Sequence, residues 1–130
     1  MSVATKPLWV VCLCAAWCRT CDAYRTTFAN VERRLAAARP ADAMRFAWLD
    51  IEDESNLLGN IDIIDFPTLM LARDGQPQFF GAVLPHAQTL ERLVSRALDS
   101  PPSAASTTWP ADLHVVAASL VQGAALRSSV

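Results

Sequence analysis

The 130-residue chain carries 11 Lys and Arg against 13 Asp and Glu, a net charge of -2, with 52% apolar and 18% charged residues. That balance fits one globular domain with a hydrophobic core and excludes a chain disordered throughout. It offers no basic face for a nucleic-acid backbone, so proteins or small molecules are the expected partners.

The apolar run from Pro7 to Trp17 has about the length of a secretory h-region, but only Lys6 flanks it on the basic side. Removing it would also delete the strand on which the next motif must stand. The run falls far short of the ~20 apolar residues a bilayer span takes, so no membrane partner is expected. The expected compartment is the cytoplasm, where thiols are kept reduced. Four cysteines within ten residues, Cys12, Cys14, Cys18 and Cys21, then read as reactive or metal-binding groups rather than structural staples.

Trp9 to Cys14 reads as a strand buried on both faces. From Asp22 onward Tyr24, Phe28, Val31 and Leu35 are spaced by four, three and four, which predicts a helix ending before Pro40. Arg45 to Ile51 predicts a second strand. Asp53 and Ser55 can cap a short helix around Asn56 to Asn60, with Gly59 near its end. Thr68 to Ala72 and Gln78 to Val83 are two further apolar runs, and Asp74-Gly75 between them signals an antiparallel hairpin. Pro85 suits a first helical turn, followed by the stripe Leu90, Leu93, Val94, Ala97 and Leu98. The domain is expected over residues 1–99. Residues 100–130 then form a Ser- and Pro-rich linker and a weak helix from Asp112 to Leu126, marked by Leu113, Val116, Ala117, Leu120 and Ala124.

Cys18 and Cys21 lie three apart where the first strand gives way to the helix, so both sulfurs fall on the first turn and can close a small disulfide ring. Unpaired amides and the helix dipole stabilise a thiolate at Cys18, the natural nucleophile. Cys21, one turn deeper, is the resolving thiol that breaks the mixed disulfide. Arg19 adds a positive charge beside the thiolate. A cysteine pair at this spacing alone also matches half of a zinc site.

Three further features narrow the choice: Trp17 before the pair, the strand upstream, and Phe66-Pro67-Thr68 about 46 residues after Cys21. Together they resemble the thioredoxin family over roughly Leu8 to Leu98. The resemblance implies an α/β fold with a central mixed sheet flanked by helices, here lacking most of the family's first strand and helix, because only Met1 to Pro7 precede the central strand. It implies a cis Pro67 lying against the disulfide. Trp17, Phe66, Pro67 and Gly81 would form the substrate site, the Phe66 backbone pairing with an extended segment and Gly81 letting another backbone approach. The expected activity is exchange of protein disulfides without a cofactor or metal, with a thioredoxin-reductase-like electron donor.

This chain departs from the family pattern in its tuning residues. The family's buried aspartate and its lysine partner are replaced by Cys12 and Trp48, which leaves Cys21 without an obvious general base. The usual Gly-Pro between the cysteines is replaced by Arg19 and Thr20, which implies a more oxidising couple. The C-terminal segment after Trp109 is the one candidate to cover the surface left by the short N-terminus.

Cys12 and Cys14 alternate on the strand and share a face, with small apolar packing as the first reading. A second redox pair, or a thiol beneath Cys21 able to form an alternative disulfide, is the other. Trp9, Trp48 and Trp109 read as core or cover, and His86 and His114 as surface or capping residues. The acidic run Asp50, Glu52, Asp53 and Glu54 reads as a solvated strand end. The competing function is a redox-sensing or metal-holding module on the same fold.

Overall fold

A computed structural model describes residues 7–15, 17–39, 43–52, 66–73, 76–99 and 115–120. The elements are β1 (Leu8–Cys14), α1 (Arg19–Ala38), β2 (Met44–Asp50), β3 (Thr68–Arg73), β4 (Gln76–Ala82) and α2 (Ala87–Asp99). All six match expected elements to within three residues at either end. The expected helix around Asn56–Asn60, the Asp74-Gly75 turn, Trp109 and His114 lie outside the described residues.

The strands form one sheet in the order β2-β1-β3-β4. β2 runs parallel to β1, whereas β3 is antiparallel to both β1 and β4. A parallel neighbour requires a crossover, and α1 supplies it between β1 and β2. β4 is an edge strand, which accommodates Pro77 without loss of an interior ladder bond. Opposite it, Leu71 pairs with Phe79 and Ala72 with Pro77, so Gln78 is the extra residue of a bulge.

Strand alternation divides the core into two layers. Leu8, Val10, Cys12 and Cys14 of β1 face α1 and α2, packing with Tyr24, Phe28, Val31, Leu90 and Val94. Val11 and Leu13 point to the other face, where they meet Leu49, Met70 and Ala72. Residues 115–120 are helical, and their Val116, Ala117 and Leu120 bury against that second face. With both faces covered, the central strands contain almost no exposed side chain, which explains why β1 and β3 read as continuous apolar runs.

α1 buries Cys21, Tyr24, Phe28, Val31 and Leu35 along one stripe. It ends because Pro40 follows in the sequence: Arg39 is driven to an extended conformation, φ -130° and ψ 160°. Arg34 pairs with Glu91 at 2.8 Å and Arg39 with Asp99 at 3.0 Å, tying α1 to α2. These are exposed pairs worth roughly 0 to 1 kcal/mol each, so the buried stripe rather than the charges holds the helices. Pro85 precedes α2 instead of occupying its first turn. His86 is exposed and its carbonyl accepts the Leu90 amide at 3.3 Å, a capping position.

Candidate active site

The site forms where β1 ends, α1 begins and the Phe66-Pro67 segment before β3 meets them. The chain turns sharply after β1, with the Cys18 amide donating to the Ala15 carbonyl at 3.1 Å. Cys18 is the N-cap of α1, in an extended conformation with φ -89° and ψ 119°. Its side chain makes no capping hydrogen bond to the first-turn amides. Cys18 is a half-buried free thiol, whereas Cys21 is buried beneath it on the same helical turn.

Trp17 is 67% exposed and meets Phe66 edge to face, with ring centroids 5.5 Å apart. Phe66 leads directly into Pro67 through a cis peptide bond. This aromatic contact brings the cis-proline loop to the N-terminus of α1. The Pro67 carbonyl accepts the Val83 amide at 3.0 Å, anchoring the loop to the end of β4. Gly81 sits on β4 opposite Leu69. A Cβ there would meet only the Phe79 ring, at 3.6 Å, an ordinary contact. The chain's own packing therefore does not demand glycine at that position.

Among the four cysteines, the bond that the structure contains joins Cys21 to Cys14, not to Cys18. Cys14 closes β1 directly below the first turn of α1, at a Cα–Cα distance of 5.8 Å from Cys21. The Cys12 Sγ lies 3.7 Å from the Cys14 Sγ, as their shared strand face requires. Packing alone was the simpler sequence reading of Cys14. The signal for more was the alternation itself, which puts Cys14 on the face that α1 covers with Cys21.

Cys12 and Trp48 are register partners across β1 and β2. The two departures from the thioredoxin pattern are thus neighbours, and losing both charges together avoids an unpaired buried ion. An aromatic cluster takes their place: Trp48 packs on Phe28 at 5.6 Å and Tyr24 at 6.4 Å, with the Arg25 guanidinium 4.6 Å from the Trp48 ring centre. Burial pushes the Cys12 thiol far above its usual range, a push only partly opposed by the Arg25 charge. Burial likewise keeps the Tyr24 phenol protonated, reinforced by Cys12. Its oxygen has no hydrogen-bond partner among the described residues. Neither group is a base near neutral pH.

Of the remaining expected tuning residues, Arg19 and Thr20 are exposed at the start of α1, as is Asp22. Glu52 turns back so that its amide donates to the Asp50 carboxylate at 2.8 Å, ending β2 with a local turn. Among the described residues no three His, Cys, Asp or Glu side chains converge as metal ligands. None of the described helices is long and apolar enough to cross a membrane.

A free cysteine at a helix N-terminus, faced by a cis-proline segment on a mixed sheet, is the arrangement of a thioredoxin-fold protein. The thioredoxin family model matches residues 1–96, and the chain belongs to that family. Membership points to chemistry of the thiol-disulfide redox class. Sulfhydryl oxidase 1 from Pongo abelii is 31% identical over 114 residues, covering 83% of this chain and 14% of that protein. The human protein matches to the same extent. This chain thus spans a small part of those relatives. Among solved structures, zinc-bound human ERp44 superposes with a TM-score of 0.64 at 20% identity, over 74% of this chain and 28% of that one. The germline-specific thioredoxin Deadhead of Drosophila melanogaster gives 0.59 at 16% identity, over 70% and 81%. At such identities these two likenesses establish the fold alone.

Proposed function

We propose that the protein is a thiol-disulfide oxidoreductase acting on protein disulfides, with Cys18 as attacking thiol and Cys21 as resolving thiol. The observation that carries this reading is the Trp17–Phe66 contact, which holds the cis Phe66-Pro67 segment at the N-terminus bearing Cys18. Cys18 attacks one sulfur of the substrate disulfide and the other leaves as a thiolate. Cys21 then attacks Cys18, and the substrate departs with both its sulfurs reduced. Phe66, Pro67 and Gly81 are the proposed rim against which an extended substrate segment lies. A thioredoxin-reductase-like donor would return the electrons, and a reducing, cytoplasmic setting belongs to the same proposal.

The test is reduction of insulin disulfides with dithiothreitol as donor. Turnover by the wild type that disappears in Cys18→Ser supports the reading. Equal rates for the two proteins would remove it. A second reading draws on the sulfhydryl oxidase relatives: the same pair run in the opposite direction, oxidising substrate thiols. Faster formation than reduction of a dithiol peptide's disulfide at a fixed glutathione poise would favour that direction.

A further inference from the structure

Cys14 is the one cysteine that the proposed reaction leaves unused although it is covalently joined to a reacting sulfur. We propose that Cys14 is a third redox-active thiol that exchanges with Cys18 for Cys21, giving the chain two interconvertible internal disulfides. This rests on the exchange chemistry assigned above to Cys18 and Cys21. In one form Cys18–Cys21 is closed and the attacking thiol is blocked. In the other Cys14–Cys21 is closed and Cys18 is a free, half-buried thiol, as the structure has it.

The geometry places Cys21 between two partners. Cys14 lies beneath it at the end of β1, with a Cα–Cα separation inside the range that disulfides occupy without backbone movement. Cys18 lies one helical turn toward the surface, at the three-residue spacing that makes side chains neighbours on a helix. Exchange needs no outside oxidant. The Cys18 thiolate attacks the Cys21 sulfur, a Cys18–Cys21 bond forms, the Cys14–Cys21 bond breaks, and Cys14 leaves with the electron pair. The proton given up by Cys18 matches the one Cys14 takes on. One thiol and one disulfide stand on each side.

Cys12 has a place in this step. Its sulfur is 3.7 Å from that of Cys14, and burial keeps it protonated, so its S–H is positioned to donate to the departing Cys14 thiolate. Such a donor is needed, because Cys14 is only 1% exposed and water cannot solvate the charge. The consequence for function is a parked state. After a substrate has been reduced, movement of the bond inward frees Cys18 while Cys21 stays occupied. A substrate then captured by Cys18 meets no free resolving thiol, and its mixed disulfide persists until Cys14–Cys21 is reduced.

The experiment oxidises the full-length reduced chain with one equivalent of diamide, quenches samples over time with acid and N-ethylmaleimide, and maps the bonds by mass spectrometry. Trypsin cleaves at Arg19, between Cys18 and Cys21, so fragmentation of the linked peptides reports which sulfur holds Cys21. Both bonds should be found, and Cys18 of the oxidised wild type should label rapidly under native conditions. That labelling should be lost in oxidised Cys14→Ser and Cys14→Ala, whose Cys21 has only Cys18 to join. Finding a single one of the two bonds at every time point overturns the proposal, and the wild-type map decides this even where a variant fails to fold. Insulin reduction is scored separately. Absence of turnover with both bonds present sinks the oxidoreductase reading and leaves the exchange standing.

Discussion

The second sheet face makes a quantitative demand on residues 115–120. Leu120 is fully buried there against Val11, Leu13, Leu49, Met70 and Ala72, with Val116 and Ala117 beside it. Leu120→Ala removes a branched side chain from a site closed by sheet on one side and helix on the other. A rigid core would lose up to ~5 kcal/mol, but a helix resting on one face of the sheet can settle toward it and recover part of that. The expected cost is therefore about 2 to 3 kcal/mol, a fall in Tm of roughly 6 to 12 °C for a domain of this size. Val115 on the same helix is 67% exposed, so Val115→Ala should stay within about 0.5 kcal/mol of wild type. Urea titration and calorimetry of the two variants read the difference. Equal midpoints for both would show that this helix contributes nothing to the fold and refute the two-layer packing.

Gly81→Ala should leave stability within about 0.5 kcal/mol, because its new methyl meets only the Phe79 ring at ordinary distance. Its rate on protein disulfides should nevertheless fall, while alkylation of Cys18 by a small reagent is unchanged; parallel rates on protein and small disulfides would remove Gly81 from the substrate rim. Trp17→Ala should cost no more than about 1.5 kcal/mol for the lost edge-to-face pair with Phe66, yet raise the KM for a peptide disulfide. An unchanged KM would leave Trp17 outside the substrate site. For pH, the sign follows from Cys12, which keeps its proton in the fold but loses it in the unfolded chain above the ordinary thiol value of ~8.5. The folded state then binds more protons, so stability falls as pH rises through that value, by at most about 1.4 kcal/mol per pH unit. Fully reduced Cys12→Val should lose about 1 to 2 kcal/mol less than wild type between roughly pH 8.5 and 10 in urea titrations. Identical slopes would contradict the burial argument.

The strand and helix order was readable because local signals agreed with the packing. The stripe Tyr24, Phe28, Val31, Leu35 is the buried face of α1, and the unbroken apolar run of β1 is what a strand covered on both sides requires. Pro40 marked the helix end through its effect on Arg39. Cys18 at a helix N-terminus and a cis Pro67 followed from the motif pair, and the structure sets them at one site through Trp17 and Phe66. The Cys14–Cys21 bond was harder to foresee. Alternation tells which face Cys14 takes but not how closely the first turn of α1 descends on the strand end, a matter of tertiary approach. The pairing of Cys12 with Trp48 was implied by the resemblance, which sets them at the positions of a partnered Asp and Lys, and not by any local pattern, since it depends on the register of β2 against β1.

The central claim is that Cys18 is the thiol that attacks substrate. Replacing the resolving sulfur and its alternative partner, in Cys14→Ser/Cys21→Ser, leaves two thiols in the chain, the half-buried Cys18 and the buried Cys12. Incubated with a disulfide-bonded peptide, that variant should accumulate a stable mixed disulfide that mass spectrometry locates on Cys18. An adduct on Cys12, or none while the variant remains folded, contradicts the account.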